Sequence, residues 1–179
     1  MPSRTFALGA VLLLTVRAAG QPAALGDKVV AYCAAQNGKQ VGTGDCAPLA
    51  DEALRAAGAK PRGPDSPNPG DYTWGQQVFH LERAGGLPRT AGNFLDVRPG
   101  DVIQFRDTKW SGLGPGGVYW VALPHHTAVV AGVDRVGLTV RVFHQNFTGK
   151  KFVTVGDIRL KDLKEGWVRF YRPVPADGK

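Results

Sequence analysis

Two cysteines and four histidines carry most of the chemistry open to this 179-residue chain. Cys46 follows Gly42-Thr43-Gly44-Asp45 and opens a stretch with helical spacing that runs to about Ala57. Asp45 suits the capping position, Pro48 is tolerated in the first turn, and Gly58 ends the element. A helix N-terminus carries partial positive charge and free N–H groups. Both favour a thiolate, and the same N–H groups can hold an oxyanion. Cys46 is therefore the candidate nucleophile. Cys33 falls mid-helix on one stripe with Val29, Val30 and Ala34, and reads as a core residue. In an oxidising compartment the two cysteines could instead form a Cys33–Cys46 disulfide in a non-catalytic binding domain, which is the competing reading.

A thiol nucleophile needs a base. His125 and His126 precede the β-branched run Thr127 to Val133. Neighbours on a strand face opposite sides, so only one of the two can face Cys46. Val129 and Ala131 share the parity of His125, and Ala128 and Val130 that of His126. Both sets are apolar, so parity leaves the choice open. His144 and Asn146 close a later strand, two residues apart on one face, and either could orient an imidazole. His80 reads as an ordinary residue of an amphipathic helix. No Cys/His/Asp cluster has the spacing of metal ligands, and no cofactor is expected.

These residues need elements to hold them. Asp27 caps a helix over Lys28 to Asn37, stopped by Gly38. Lys60 to Gly70 contains four prolines and two glycines and reads as an irregular connection. Asp71 to Arg83 is expected to be a third helix with Tyr72, Trp74, Val78 and Phe79 inward. The turn Val97 to Asp101 then feeds a strand, Val102 to Phe105. Further strands are expected at Val118 to Leu123, Thr127 to Val133, Leu138 to Phe143, Phe152 to Val155 and Trp167 to Tyr171. Helices first and strands later imply an α+β domain, with the helices packed on a mainly antiparallel sheet. The tail from Pro173 is expected to fray.

The first twenty residues differ from the rest. Arg4, the apolar run Thr5 to Val16 and the small residues Ala18-Ala19-Gly20 read as a signal peptide cleaved near Gln21. The run is short of the roughly 20 residues a membrane span needs. A single domain is then expected over residues 21–172, in a secreted or periplasmic protein. Removing Arg4 and Arg17 leaves 20 basic and 15 acidic residues, an excess suited to an anionic polymer such as a cell wall. The basic residues are scattered singly, so nucleic acid is not an expected partner. A monomer is expected.

Taken together, Gly42-Thr43-Gly44-Asp45-Cys46, Pro99-Gly100-Asp101-Val102-Ile103-Gln104-Phe105 and His126-Thr127-Ala128-Val129-Val130 resemble the NlpC/P60 and CHAP hydrolases over roughly residues 27–171. The resemblance implies a papain-like domain that cleaves peptide or amide bonds in peptidoglycan. It implies Cys46 as nucleophile and His126 as base. The third residue would be His144, as in NlpC/P60 members, or Asn146, as in CHAP members. Ala47-Pro48 stands where NlpC/P60 members usually have Ser-Gly, so the subfamily is left open.

Overall fold

The structure is a computed structural model that describes residues 24–64 and 70–176. The signal-peptide reading of residues 1–20 lies outside them. Two helices come first, α1 (Leu25–Ala35) and α2 (Cys46–Ala57). A two-stranded ribbon comes next, β1 (Gly63–Pro64) with β2 (Tyr72–Thr73). The remaining strands are β3 (Gln76–Arg83), β4 (Arg89–Gly92), β5 (Val102–Gly114), β6 (Gly117–Asp134), β7 (Thr139–His144), β8 (Thr154–Arg159) and β9 (Leu163–Arg172). They form one antiparallel sheet in the order β4-β3-β9-β5-β6-β7-β8. The expected α+β class holds, with seven strands in the main sheet and both helices ahead of it.

The sheet separates two cores. On one face Val102, Val129, Phe143 and Tyr171 pack against Val29 and Cys33 of α1 and Leu49, Ala53 and Leu54 of α2. Leu49 and Leu54 are almost fully buried, which stabilises the docking of α2 by about 2 kcal/mol each. On the other face Ile103, Phe105, Ala128, Val130, Val142 and Phe170 form a second core. It is closed by Phe94 and Leu160, each in a short 3-10 turn, and among the described residues it contains none from α1 or α2. Between Val102 and Arg106 the β5–β6 pairing is regular, so alternation along this stretch of β6 assigns every side chain to one of the two cores.

Three expectations are corrected. Residues 71–83 form strands, not a helix. Gly75 lies at φ 134°, where a Cβ would sit 2.1 Å from the Arg172 carbonyl oxygen. Beyond it, burial of Phe79 and Leu81 has period two and β3 pairs with β9. His80 is accordingly a strand residue, edge-on to Trp167. Second, the strands expected at Val118–Leu123 and Thr127–Val133 are one strand. Pro124 is accommodated opposite Asp107, a residue at φ 49° where the β5–β9 register shifts. Third, the chain after Pro173 does not fray at once: the Lys60 N–H donates to the Val174 carbonyl and the Ala176 N–H to that of Gly58.

Candidate active site

Cys46 is the first residue of α2. The loop before it needs its glycines: Gly42 is at φ 54° and a Cβ there would lie 2.9 Å from Pro48 Cβ, and Gly44 is at φ 82° against Lys151. Asp45 occupies the capping position in extended conformation but does not cap with its carboxylate. That carboxylate accepts instead from the Thr43 hydroxyl at 2.8 Å and from Asn146 Nδ2 at 3.5 Å. The loop is fastened from the sheet by Gln145, which is fully buried. Its Oε1 accepts from the Val41 N–H at 3.1 Å, and its Nε2 donates to the Val41 and Asp45 carbonyls.

The half-buried Cys46 thiol is governed by two opposed effects. Burial raises its pKa, the larger influence. The backbone N–H groups of Thr127, Ala47 and Cys46 itself and the Thr127 hydroxyl lower it. Cys33 lacks such donors and is pushed up to about 12 by burial alone. Both cysteines are free thiols, so the disulfide of the competing reading is not formed. A cavity of about 330 Å³ opens beside Cys46, bordered by Ala47, Gly70, Tyr72, Gln104, His125, His126 and Thr127. Gln104 Oε1 accepts from Trp74 Nε1 at 3.0 Å and from the Thr127 hydroxyl at 3.4 Å, fixing the floor of the cavity.

His126 and His144 come together as expected, Nε2 to Nδ1 at 3.3 Å. They do so on the wrong side of the sheet for Cys46. His126 pairs with Phe105 across β5–β6, packs its ring against Phe105 and Phe147, and shares parity with Ala128 and Val130 of the helix-free core. His144 stacks on Phe147 at 4.5 Å and borders a separate cavity with Phe105 and Trp110. Burial drives both imidazoles to stay neutral, His126 to a pKa of about 3 and His144 to about 4. The His126 ring thus packs in the core on the face away from α2, although the residue also borders the Cys46 cavity. Asn146 does not share a face with His144 either. It lies past the end of β7 at φ 57°, which breaks the alternation and turns its amide toward Asp45.

The helix side of β6 carries His125, Thr127 and Val129, whose partners on β5 are Arg106, Gln104 and Val102. His125 Nε2 lies 2.7 Å from Arg106 Nη1, and its Nδ1 3.8 Å from the buried carboxylate of Asp71. Arg106 Nη1 also donates to Asp71 Oδ1 at 3.0 Å. Sequence reasoning misses Asp71, Arg106 and Gln145. The signal available for Gln145 is its place between His144 and Asn146. Asp71 is obscured by the helix expected there. Among the described residues no group of three or more His, Cys, Asp or Glu is placed to share a metal ion, and no helix is long and apolar enough to cross a membrane.

Comparison with known proteins bears on what this arrangement is. The chain is 30% identical over 154 residues to altered inheritance of mitochondria protein 3 of Debaryomyces hansenii, a match covering 84% of this chain and 16% of that protein. It thus spans about a sixth of the relative. Two crystal structures of Ly7917, one with the hydrolysing product of MDP, superpose with TM-score 0.46 at 18% identity, over 83% of this chain and 62–63% of theirs. The NlpC/P60–CHAP resemblance reduces to its coarser content, a papain-like cysteine proteinase fold. Residues 20–178 match the AIM3/BBC1 cysteine proteinase-fold domain, and the chain belongs to that family.

Proposed function

We propose that this domain is a cysteine-dependent hydrolase of peptide or amide bonds with Cys46 as nucleophile. One observation carries the reading: Cys46 opens α2, faces N–H donors from two elements and shares an open cavity with His125. An imidazole takes the thiol proton, and the sulfur attacks the amide carbonyl. The helix-start N–H groups face the tetrahedral oxyanion. The protonated imidazole then supplies its proton to the leaving amine as the C–N bond breaks, and water releases the acyl group. Peptidoglycan is the substrate class that the NlpC/P60 resemblance implies. The cysteine proteinase-fold family supports the wider class of peptide and amide bonds. Export to periplasm or medium rests on residues 1–20.

Incubation with purified peptidoglycan, and separately with a mixed peptide library, tests the proposal when products are identified by mass. Products from the wild type, their loss in Cys46→Ala and their retention in Cys33→Ala are expected. Equal products from Cys46→Ala, or none from the wild type on either substrate, would sink it.

A further inference from the structure

We infer that the base serving Cys46 is His125, with Asp71 as the residue that positions it; the inference rests on the thiol-hydrolase reading. Three observations converge. The regular register from Val102 to Arg106 puts His125 on the helix side of β6, two residues from the Thr127 that faces the Cys46 thiol. His125 borders the Cys46 cavity and is 42% exposed, so its ring can change rotamer, whereas His126 is 2% exposed and held by Phe105, His144 and Phe147. Finally, His125 already has a partner suited to an imidazolium. Its Nδ1 faces the Asp71 carboxylate, itself buried and fixed by Arg106.

Arg106 Nη1 carries only donors and lies 2.7 Å from Nε2 and 3.3 Å from Nδ1 of His125; the shorter contact favours the tautomer in which Nε2 accepts and the proton is on Nδ1, the nitrogen 3.8 Å from Asp71 Oδ1. When Nε2 takes the thiol proton it has no lone pair left for Arg106, which gives up that hydrogen bond and keeps the one to Asp71. Among the described residues, the charged or titratable groups facing the ring are Arg106 from β5, Asp71 from the segment leading into β2 and Cys46 from α2, with Asp107 joined to Arg106 at 3.1 Å. Gly70 leaves the ring its space, since a Cβ there would lie 3.1 Å from it.

The test is the pH profile of Cys46 alkylation by iodoacetamide in the full chain, with the modified peptide identified by mass. Proton transfer to His125 is expected to outweigh the burial that raises the Cys46 thiol, so the wild type should react well below the pKa of about 8.5 typical of a free thiol. His125→Ala should slow the reaction at pH 6 by about tenfold or more and restore an ordinary thiol profile, with free imidazole recovering part of the rate. Asp71→Asn should shift the profile the same way by less, at unchanged circular dichroism. His126→Ala, where it folds, should leave the profile in place. An unchanged profile in His125→Ala overturns the inference while leaving the nucleophile standing. A slow, ordinary profile in the wild type overturns the hydrolase reading itself.

Discussion

The two histidines that sit side by side on β6 live in different solvents. His125 looks out on an open polar cavity, next to an arginine, a carboxylate and a thiol. His126 is in the helix-free core, 2% exposed, with another neutral imidazole as its polar partner. One residue of strand separates an imidazole in contact with water from one that burial holds neutral to about pH 3. The residue type is the same, so the difference belongs to the sheet face. Chemistry in this fold is assigned by which face the helices cover.

This contrast between faces can be broken in several ways. The largest expected effect is at Gln145. Gln145→Ala strips partners from the Val41 N–H and from the Val41 and Asp45 carbonyls, which should cost about 3 kcal/mol of stability by urea unfolding. It should also remove most Cys46 reactivity. A loss below about 1 kcal/mol would mean the loop before α2 is fixed by something else.

A second effect depends on pH. His126 and His144 have folded pKa values below the ordinary value near 6.5, so the unfolded chain binds more protons between about pH 3 and 6.5. Stability is therefore complete above about pH 6.5 and is lost as pH falls through that window. His144→Gln should flatten the fall in melting temperature between pH 6.5 and 4. An unflattened fall in His144→Gln would mean that burial of this pair is not its cause.

Smaller still is Cys33→Ala. Cys33 is fully buried and packs as a small hydrophobe, so the cost should be about 1 kcal/mol with activity retained. Asn146→Ala removes one long hydrogen bond to Asp45 and should cost less than about 0.5 kcal/mol. A rate loss at Asn146 larger than that at His125 would return the CHAP-like assignment.

Much of this is legible in the sequence. The helix opened by Cys46, its glycine loop and its stop at Gly58 all come from local chemistry, and the structure has them within a residue. The late strands are visible as β-branched runs. Residues 71–83 mislead because aromatic and apolar residues there fit both periods; what decides is Gly75 lying against the Arg172 carbonyl, a contact with a strand almost a hundred residues on. The choice between His125 and His126 is hidden from the sequence for a related reason. Both faces of β6 are apolar, and the cover that tells them apart comes from α1 and α2, far away in the chain. Matching the His-Thr-Ala-Val run to a family pattern resolves the tie one residue off from the position that the geometry supports.

The end of β7 carries His144 toward one core and Gln145 toward the other, with Asn146 turning off at positive φ. Those three residues act as a reading frame. The turn that enters β7, from Asp134 to Thr139, can change length without altering the faces of the strand after it. Insertion or deletion of one residue between Thr139 and Gln145 would exchange the faces, sending an imidazole toward the nucleophile loop and the loop's amide latch into the dry core. Natural variation in length should therefore be absent from this seven-residue stretch and gather at the turn before it.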